Sequence, residues 1–279
     1  MACLALRSHR GMVREANEDA CCALASVSPL GEVVMAVVCD GVGGLSYGEV
    51  ASSTVICRFV QWFEEDLPSL LHGMPTDLDC NLIQECWTAL LEDLNQRIRR
   101  HGRAIGALLG TTFTGLLTYG QSYVIGHVGD CRAYCLHGHV LRQLTEDQTL
   151  LAFKLARGEI TPQEAQDPHQ RHVIMQSVGT EQKLRPAFYC GDVDDSDVMV
   201  LCSDGAYQSL GDAGLQEELD GASWQDERML DDACKKIISK SMRAGERDNL
   251  SIVCVCCNGG AVDSQGGTRA LISVGHDAL

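Results

Sequence analysis

The chain has 279 residues, 45% of them hydrophobic, enough to bury a sizeable core as one β-rich domain. Its 22 Lys and Arg against 38 Asp and Glu leave a formal charge of −16, which argues against nucleic acid or an anionic membrane as a partner and suits cation binding. Fifteen cysteines, odd in number and scattered along the chain, fit reduced thiols better than a disulfide scaffold; with neither a signal-peptide pattern nor an apolar run near the ~20 residues that span a bilayer, the expected location is the cytoplasm.

In chain order, residues 33–39 are apolar throughout and rich in valine, so they read as a strand buried on both faces. That strand runs into the glycine-rich turn Asp40-Gly-Val-Gly-Gly44, after which a helix is expected over 47–65. Over 82–100 the apolar positions Ile83, Trp87, Leu90, Leu91, Leu94 and Ile98 suit an amphipathic helix packed on the first. Short β-like stretches broken at Gly120-Gln121 and His137-Gly138 predict a meander over 111–145. A polar stretch interrupted by Gly158, Pro162 and Pro168 reads as a flap at about 147–178. A strand over 197–202, a helix over 226–243 and a strand over 250–257 complete one domain over 1–257. The Gly- and Ser-rich remainder, 258–279, is expected to be a disordered tail.

Three of the apolar strands arrive at an aspartate: Asp40, Asp130 and Asp204. A fourth, Asp248, stands at the entrance of a strand whose antiparallel neighbour would bring it to the same sheet end. Any one of these is more simply read as a turn former. Four carboxylates together would repel one another unless cations sat among them, and hard oxygen donors without a His or Cys set point to Mg²⁺ or Mn²⁺. His127 reads as a structural histidine, and the acidic run Asp192, Asp194, Asp195 and Asp197 as a solvated loop rather than a calcium site.

The order of Gly11-Met-Val-Arg-Glu-Ala-Asn-Glu-Asp19, Asp40-Gly-Val-Gly-Gly44, Gly110-Thr-Thr-Phe113, His127-Val-Gly-Asp-Cys-Arg-Ala-Tyr134, Leu144-Thr-Glu-Asp147, Ser177-Val-Gly179, Leu201-Cys-Ser-Asp-Gly205 and Arg247-Asp-Asn249 resembles the metal-dependent protein serine/threonine phosphatases of the type 2C fold. The resemblance spans about 4–257. It implies an α+β fold, a four-layer α/β/β/α sandwich of two packed antiparallel sheets flanked by helix pairs. It also implies Asp40 bridging two Mn²⁺ or Mg²⁺ ions, the Gly41 carbonyl on one, Asp204 and Asp248 on the other, and Asp130 with Asp204 at a weaker third. Glu18 and Asp19 would act through metal-bound water, Asn249 would orient its neighbour, and Arg14 would hold the substrate phosphate, unless it is a structural ion-pair partner. The implied reaction is direct attack of a metal-activated water on phosphoserine or phosphothreonine proteins, among them a cognate serine/threonine kinase. Val42 stands where many eukaryotic relatives carry a histidine, a departure shared with the bacterial branch, and Gln148 stands where many carry another. The alternative is a catalytically silent relative that binds a kinase or phosphoprotein; the complete aspartate set favours activity.

Overall fold

The computed structural model describes residues 2–28, 31–42, 47–72, 77–161, 164, 173–220, 226–256 and 268–274. In chain order these form β1 (Cys3–His9), β2 (Ala20–Ser28), β3 (Gly31–Cys39), β4 (Gly41–Val42), α1 (Gly48–Gln61), a π-helical turn (Trp62–Asp66), α2 (Leu67–Leu71) and α3 (Cys80–Ile105). The chain continues with β5 (Gly110–Thr111), β6 (Phe113–Tyr119), β7 (Ser122–Val128), β8 (Arg132–His137), β9 (Val140–Gln143), α4 (Leu150–Ala156), β10 (Ala187–Asp192) and β11 (Val198–Cys202). It closes with α5 (Asp204–Tyr207), α6 (Gly211–Leu219), α7 (Glu227–Arg243), β12 (Leu250–Cys256) and β13 (Arg269–Ser273).

The alternation of side chains along each strand builds four layers. In β3, Val33, Met35, Val37 and Cys39 face a core shared with α1 and α3, whereas Val34, Ala36 and Val38 face the other sheet. In β12 and β11, Ile252, Cys254, Val198 and Val200 face α6 and α7, and Val253, Val255, Met199 and Leu201 fill the space between the sheets. One sheet runs β1-β12-β11-β8-β9 and the other β10-β7-β6-β3-β2-β13, and every pairing within them is antiparallel. The α/β/β/α sandwich is therefore present.

The helices follow their sequence signals. Asp79 caps α3 by accepting from the Asn81 and Leu82 amides at 3.1 and 3.2 Å, and Gly106 ends it in the left-handed region at φ 71°. Its stripe Ile83, Trp87, Leu91, Leu94 and Ile98 is buried, with Trp87 edge-on to Phe59 of α1 at 5.4 Å. Asp226 caps α7 in the same way, through the Arg228 amide at 2.9 Å.

Three expectations need correction. The helix expected over 47–65 continues through the π-helical turn to Leu71, because Phe63, Leu67 and Leu71 extend its buried stripe. The meander over 111–145 is split: β6 and β7 belong to one sheet, β8 and β9 to the other, with Gly129 at φ 106° turning the chain between them. The tail expected over 258–279 contains β13, which pairs with β2 from Arg269↔Ala25 to Ser273↔Cys21, since the outer edge of β2 offers an unpaired ladder. Positions 257–267 and 275–279 lie outside the described residues, as do Gly43 and Gly44 of the expected turn and positions 162–163 and 165–172 of the expected flap. In the described part of the flap, α4 is capped by Thr149, and Thr149 bridges Ile174.

Candidate metal centre

Strand register brings the predicted carboxylates to one end of both sheets. Ala20 pairs with Cys39, so Asp19 enters β2 beside Asp40 leaving β3. In the other sheet Arg132 pairs with Cys202 and Cys202 with Ile252, which puts Asp130, Asp204 and Asp248 at the matching end. Two of these carboxyls register the crowding. Burial, then the charges of Asp19, Asp204, Asp130 and Asp248, push the Asp40 carboxyl far above the usual range. Burial, reinforced by Asp204 and Asp248, raises Asp19 as well.

The backbone that carries them is tightly held. Thr112 clamps Asp40 from both sides, its hydroxyl accepting from the Asp40 amide at 2.8 Å and its amide donating to the Asp40 carbonyl at 2.8 Å. Glycine is required where chains cross. A Cβ on Gly41 would lie 2.5 Å from the Gly48 carbonyl carbon and 2.6 Å from the Glu18 carbonyl oxygen, and one on Gly205 would lie 2.1 Å from the Asn249 carbonyl oxygen. The Gly205 contact fixes the approach of Asp204 to the Asp248–Asn249 segment.

Asn249 commits its whole amide to the loop over 10–18: its Nδ2 donates to the Arg10 and Ala16 carbonyls at 2.8 and 3.0 Å, and its Oδ1 accepts from the Glu18 amide at 2.8 Å. That loop carries Arg14, whose guanidinium donates to Asp248 Oδ2 at 2.6 Å while its side chain stays 47% exposed. Glu18 Oε1 accepts from the Gly48 amide at the start of α1, and burial raises its carboxyl pKa. Ser203 donates to Asp19 Oδ2 at 2.8 Å, while Asp19 Oδ1 is buried without a hydrogen-bond partner. The donors here are oxygens alone, and an orphaned carboxylate oxygen in a crowd of like charges is a place that a hard divalent cation or its water would satisfy. The residues fit such ions.

Several residues within or beside the quoted motifs support the centre in ways the motifs do not state. Arg132 pairs with Asp147 through two hydrogen bonds of 2.8 and 2.7 Å and stacks on Tyr207 at 3.9 Å, and the Tyr207 hydroxyl donates to the Asp130 carbonyl at 3.0 Å. Gln148 Oε1 accepts from the Gly129 amide at 2.9 Å and from Gln176 at 2.7 Å, so it ties the Asp130 turn to the flap. His127 is buried: Nε2 donates to the Glu146 carbonyl at 3.1 Å and Nδ1 lies 2.9 Å from the Thr114 hydroxyl. Val42 sits half-exposed beside Gly110 and offers no proton.

At the opposite end, His137, Asp194 and Asp197 bring ligand atoms within 4.8 Å of one another. Asp197 is internally satisfied there, accepting from His137 Nδ1 at 2.8 Å and the Asp194 amide at 2.9 Å, as a capped turn does.

A family model for protein phosphatase 2C matches residues 7–229. The serine/threonine phosphatase stp of Listeria monocytogenes is 28% identical over 252 residues, covering 89% of this chain and 93% of that protein. The serine/threonine protein phosphatase PstP of Mycobacterium tuberculosis is 30% identical over 258 residues, covering 89% of this chain and 44% of PstP. A crystal structure of the PstP catalytic domain in complex with two manganese ions superposes with a TM-score of 0.71 at 26% identity, covering 91% of this chain and 97% of that one.

Proposed function

The chain belongs to the protein phosphatase 2C family and is a serine/threonine phosphatase, a phosphoric monoester hydrolase, and from that premise we propose that the carboxylates around Asp40 form a di- or trinuclear Mn²⁺ or Mg²⁺ centre. The observation that carries this reading is the convergence of Asp19, Asp130, Asp204 and Asp248 on Asp40, whose carboxyl burial and then those four charges push upward unless cations compensate. The two manganese ions named for the PstP structure support the same reading.

Asp40, the Gly41 carbonyl, Asp204 and Asp248 would hold two core ions, and Asp130 with Asp204 a weaker third; Glu18 and Asp19 would act through bound water. When bound, such ions supply Lewis acidity and a water that ionises near neutral pH. The chain's own residues do the rest. Thr112, Gly41 and Gly205 hold the carboxylate-bearing backbone in register. Asn249 positions the loop over 10–18 so that Arg14, partly exposed beside Asp248, presents its fork to the substrate phosphate and neutralises charge on its oxygens. With valine at position 42, no side-chain acid stands there to protonate the departing serine or threonine oxygen, and water supplies that proton.

The substrates are phosphoserine and phosphothreonine proteins, a cognate kinase among them, met in the cytoplasm. Among the described residues no helix is long and apolar enough to cross a membrane. Phosphate release from a phosphothreonine peptide, read beside metal counting in Asp130→Ala, tests the reading. The variant should keep two ions while turnover falls. Loss of both core ions with the fold intact would overturn the assignment of Asp130, and peptide binding without turnover by the parent protein would favour a silent module.

A further inference from the structure

The C-terminal half of α3 reverses the sign of the chain locally. No Asp or Glu occurs between Asp93 and Asp130, although the chain carries 38 of them, and Arg97, Arg99, Arg100 and Arg103 all fall in that interval. Leu94, Ile98 and Gly102 are buried, so at about 3.6 residues per turn the arginines fan over the outer face of the helix. Arg97, Arg100 and Arg103 are exposed and Arg99 is half-buried. Among the described residues none of the four makes an ion pair, and Arg100 donates to the Gln96 carbonyl at 3.4 Å. Cations at a helix C-terminus complement its macrodipole, but that effect falls off within the last turn, which holds Arg103 alone. Arg97, Arg99 and Arg100 need another account.

The fold ties this stretch of α3 to the flap and to the candidate metal centre. Asn95 holds the segment that follows the flap, its Oδ1 accepting from the Gly179 amide at 2.8 Å and its Nδ2 donating to the Glu181 carbonyl at 3.0 Å. Ile98 packs so closely on Gly179 that an added Cβ there would lie 2.4 Å from Ile98 Cγ2. Past Gly106 the chain enters β5, which pairs with Gly41 and Val42, and then reaches Thr112, the clamp on Asp40.

Resting on the reading that the substrates are phosphoserine and phosphothreonine proteins, we infer that the outer face of α3 around Arg97, Arg99, Arg100 and Arg103 is a docking surface for an acidic segment of the substrate, outside its phosphorylated residue. Guanidinium forks match carboxylates. Charge complementarity is local: exposed charges are screened beyond about 8 Å at physiological salt, so a short peptide segment meets the arginines and little of the remaining acidity. An anionic bilayer would meet much more of a surface whose net charge is −16.

The test compares two phosphothreonine peptides, one with glutamates about four to ten residues from the phosphothreonine, a reach of roughly 13–35 Å when extended, the other with glutamines there. The parent protein should show a lower KM for the acidic peptide at equal kcat, a preference that fades as salt is raised. Replacing Arg97, Arg99 and Arg100 together by Gln should raise KM for the acidic peptide by about tenfold and leave the glutamine peptide unchanged, whereas Lys at all three should keep most of the preference. Equal KM for both peptides in the parent, or an unchanged preference in the Gln variant, overturns the docking surface. Hydrolysis of neither peptide by the parent overturns the substrate reading itself. Arginine-dependent pelleting with phosphatidylglycerol vesicles, without a peptide preference, would assign the face to a membrane and overturn the inference.

Discussion

Arg14 illustrates at the scale of one residue how magnitude separates two roles. Its pair with Asp248 is short, but both side chains are partly exposed, and such pairs contribute about 0–1 kcal/mol to stability. A contact to a phosphate contributes about 1.5–3 kcal/mol, so Arg14→Ala should lower kcat/KM by roughly 10- to 150-fold on any phosphomonoester with little change in urea stability. Unchanged kcat/KM on both a phosphopeptide and p-nitrophenyl phosphate would make Arg14 structural. His127 gives a pH prediction. Burial pushes its pKa down to about 4, whereas the unfolded chain titrates near ~6.5. Between those values the unfolded chain binds the extra proton, so the cost is absent above ~6.5, grows as pH falls, and is complete below ~4. At pH 5 it amounts to about 2 kcal/mol. Urea titrations at pH 7 and pH 5 should therefore show His127→Gln losing less stability than the parent by about that amount; parallel losses would mean His127 is already charged in the fold.

Among the elements, the Arg132–Asp147 pair joins the start of β8 to the flap and backs the Asp130 turn through Tyr207. Asp147→Ala leaves a largely buried guanidinium without its bidentate partner, and urea denaturation should register a loss of about 1.5–3 kcal/mol. A loss below about 0.5 kcal/mol would show the pair behaving like an exposed one. The elements legible in sequence were those whose residues follow a period, such as the doubly buried valines of β3 and the stripe of α3, and the helix expected over 226–243 is α7. The strand β2 escaped because Ala-Cys-Cys-Ala-Leu-Ala-Ser has weak β character; its small side chains are selected by the narrow space between the sheets, a tertiary demand. The strand β13 escaped because only the open edge of β2 gives it a partner. The site was legible where strands end in aspartate. Thr112, Gln148, Arg132 and Tyr207 were not assigned these supporting roles, because hydrogen bonding across sheets leaves no local spacing to read.

For the whole molecule, the sandwich is a device that lets two sheets present acidic residues at a shared end, and the charge of −16 makes divalent cations its natural complement. Burial of β3 and β12 on both faces keeps the strands that carry Asp40 and follow Asp248 in the core, and the repulsion among carboxylates gathered at that end is relieved by ions or by protons. The central claim is that turnover depends on ions held by these carboxylates. It is tested most directly by the rate of phosphate release from a phosphothreonine peptide as Mn²⁺ is titrated into the chelator-stripped parent protein and into Asp204→Asn. The stripped parent should be inactive and regain turnover as Mn²⁺ binds, while the variant stays about a hundredfold or more slower at saturating Mn²⁺. Full turnover by metal-free protein, or near-normal turnover by Asp204→Asn, would contradict the account.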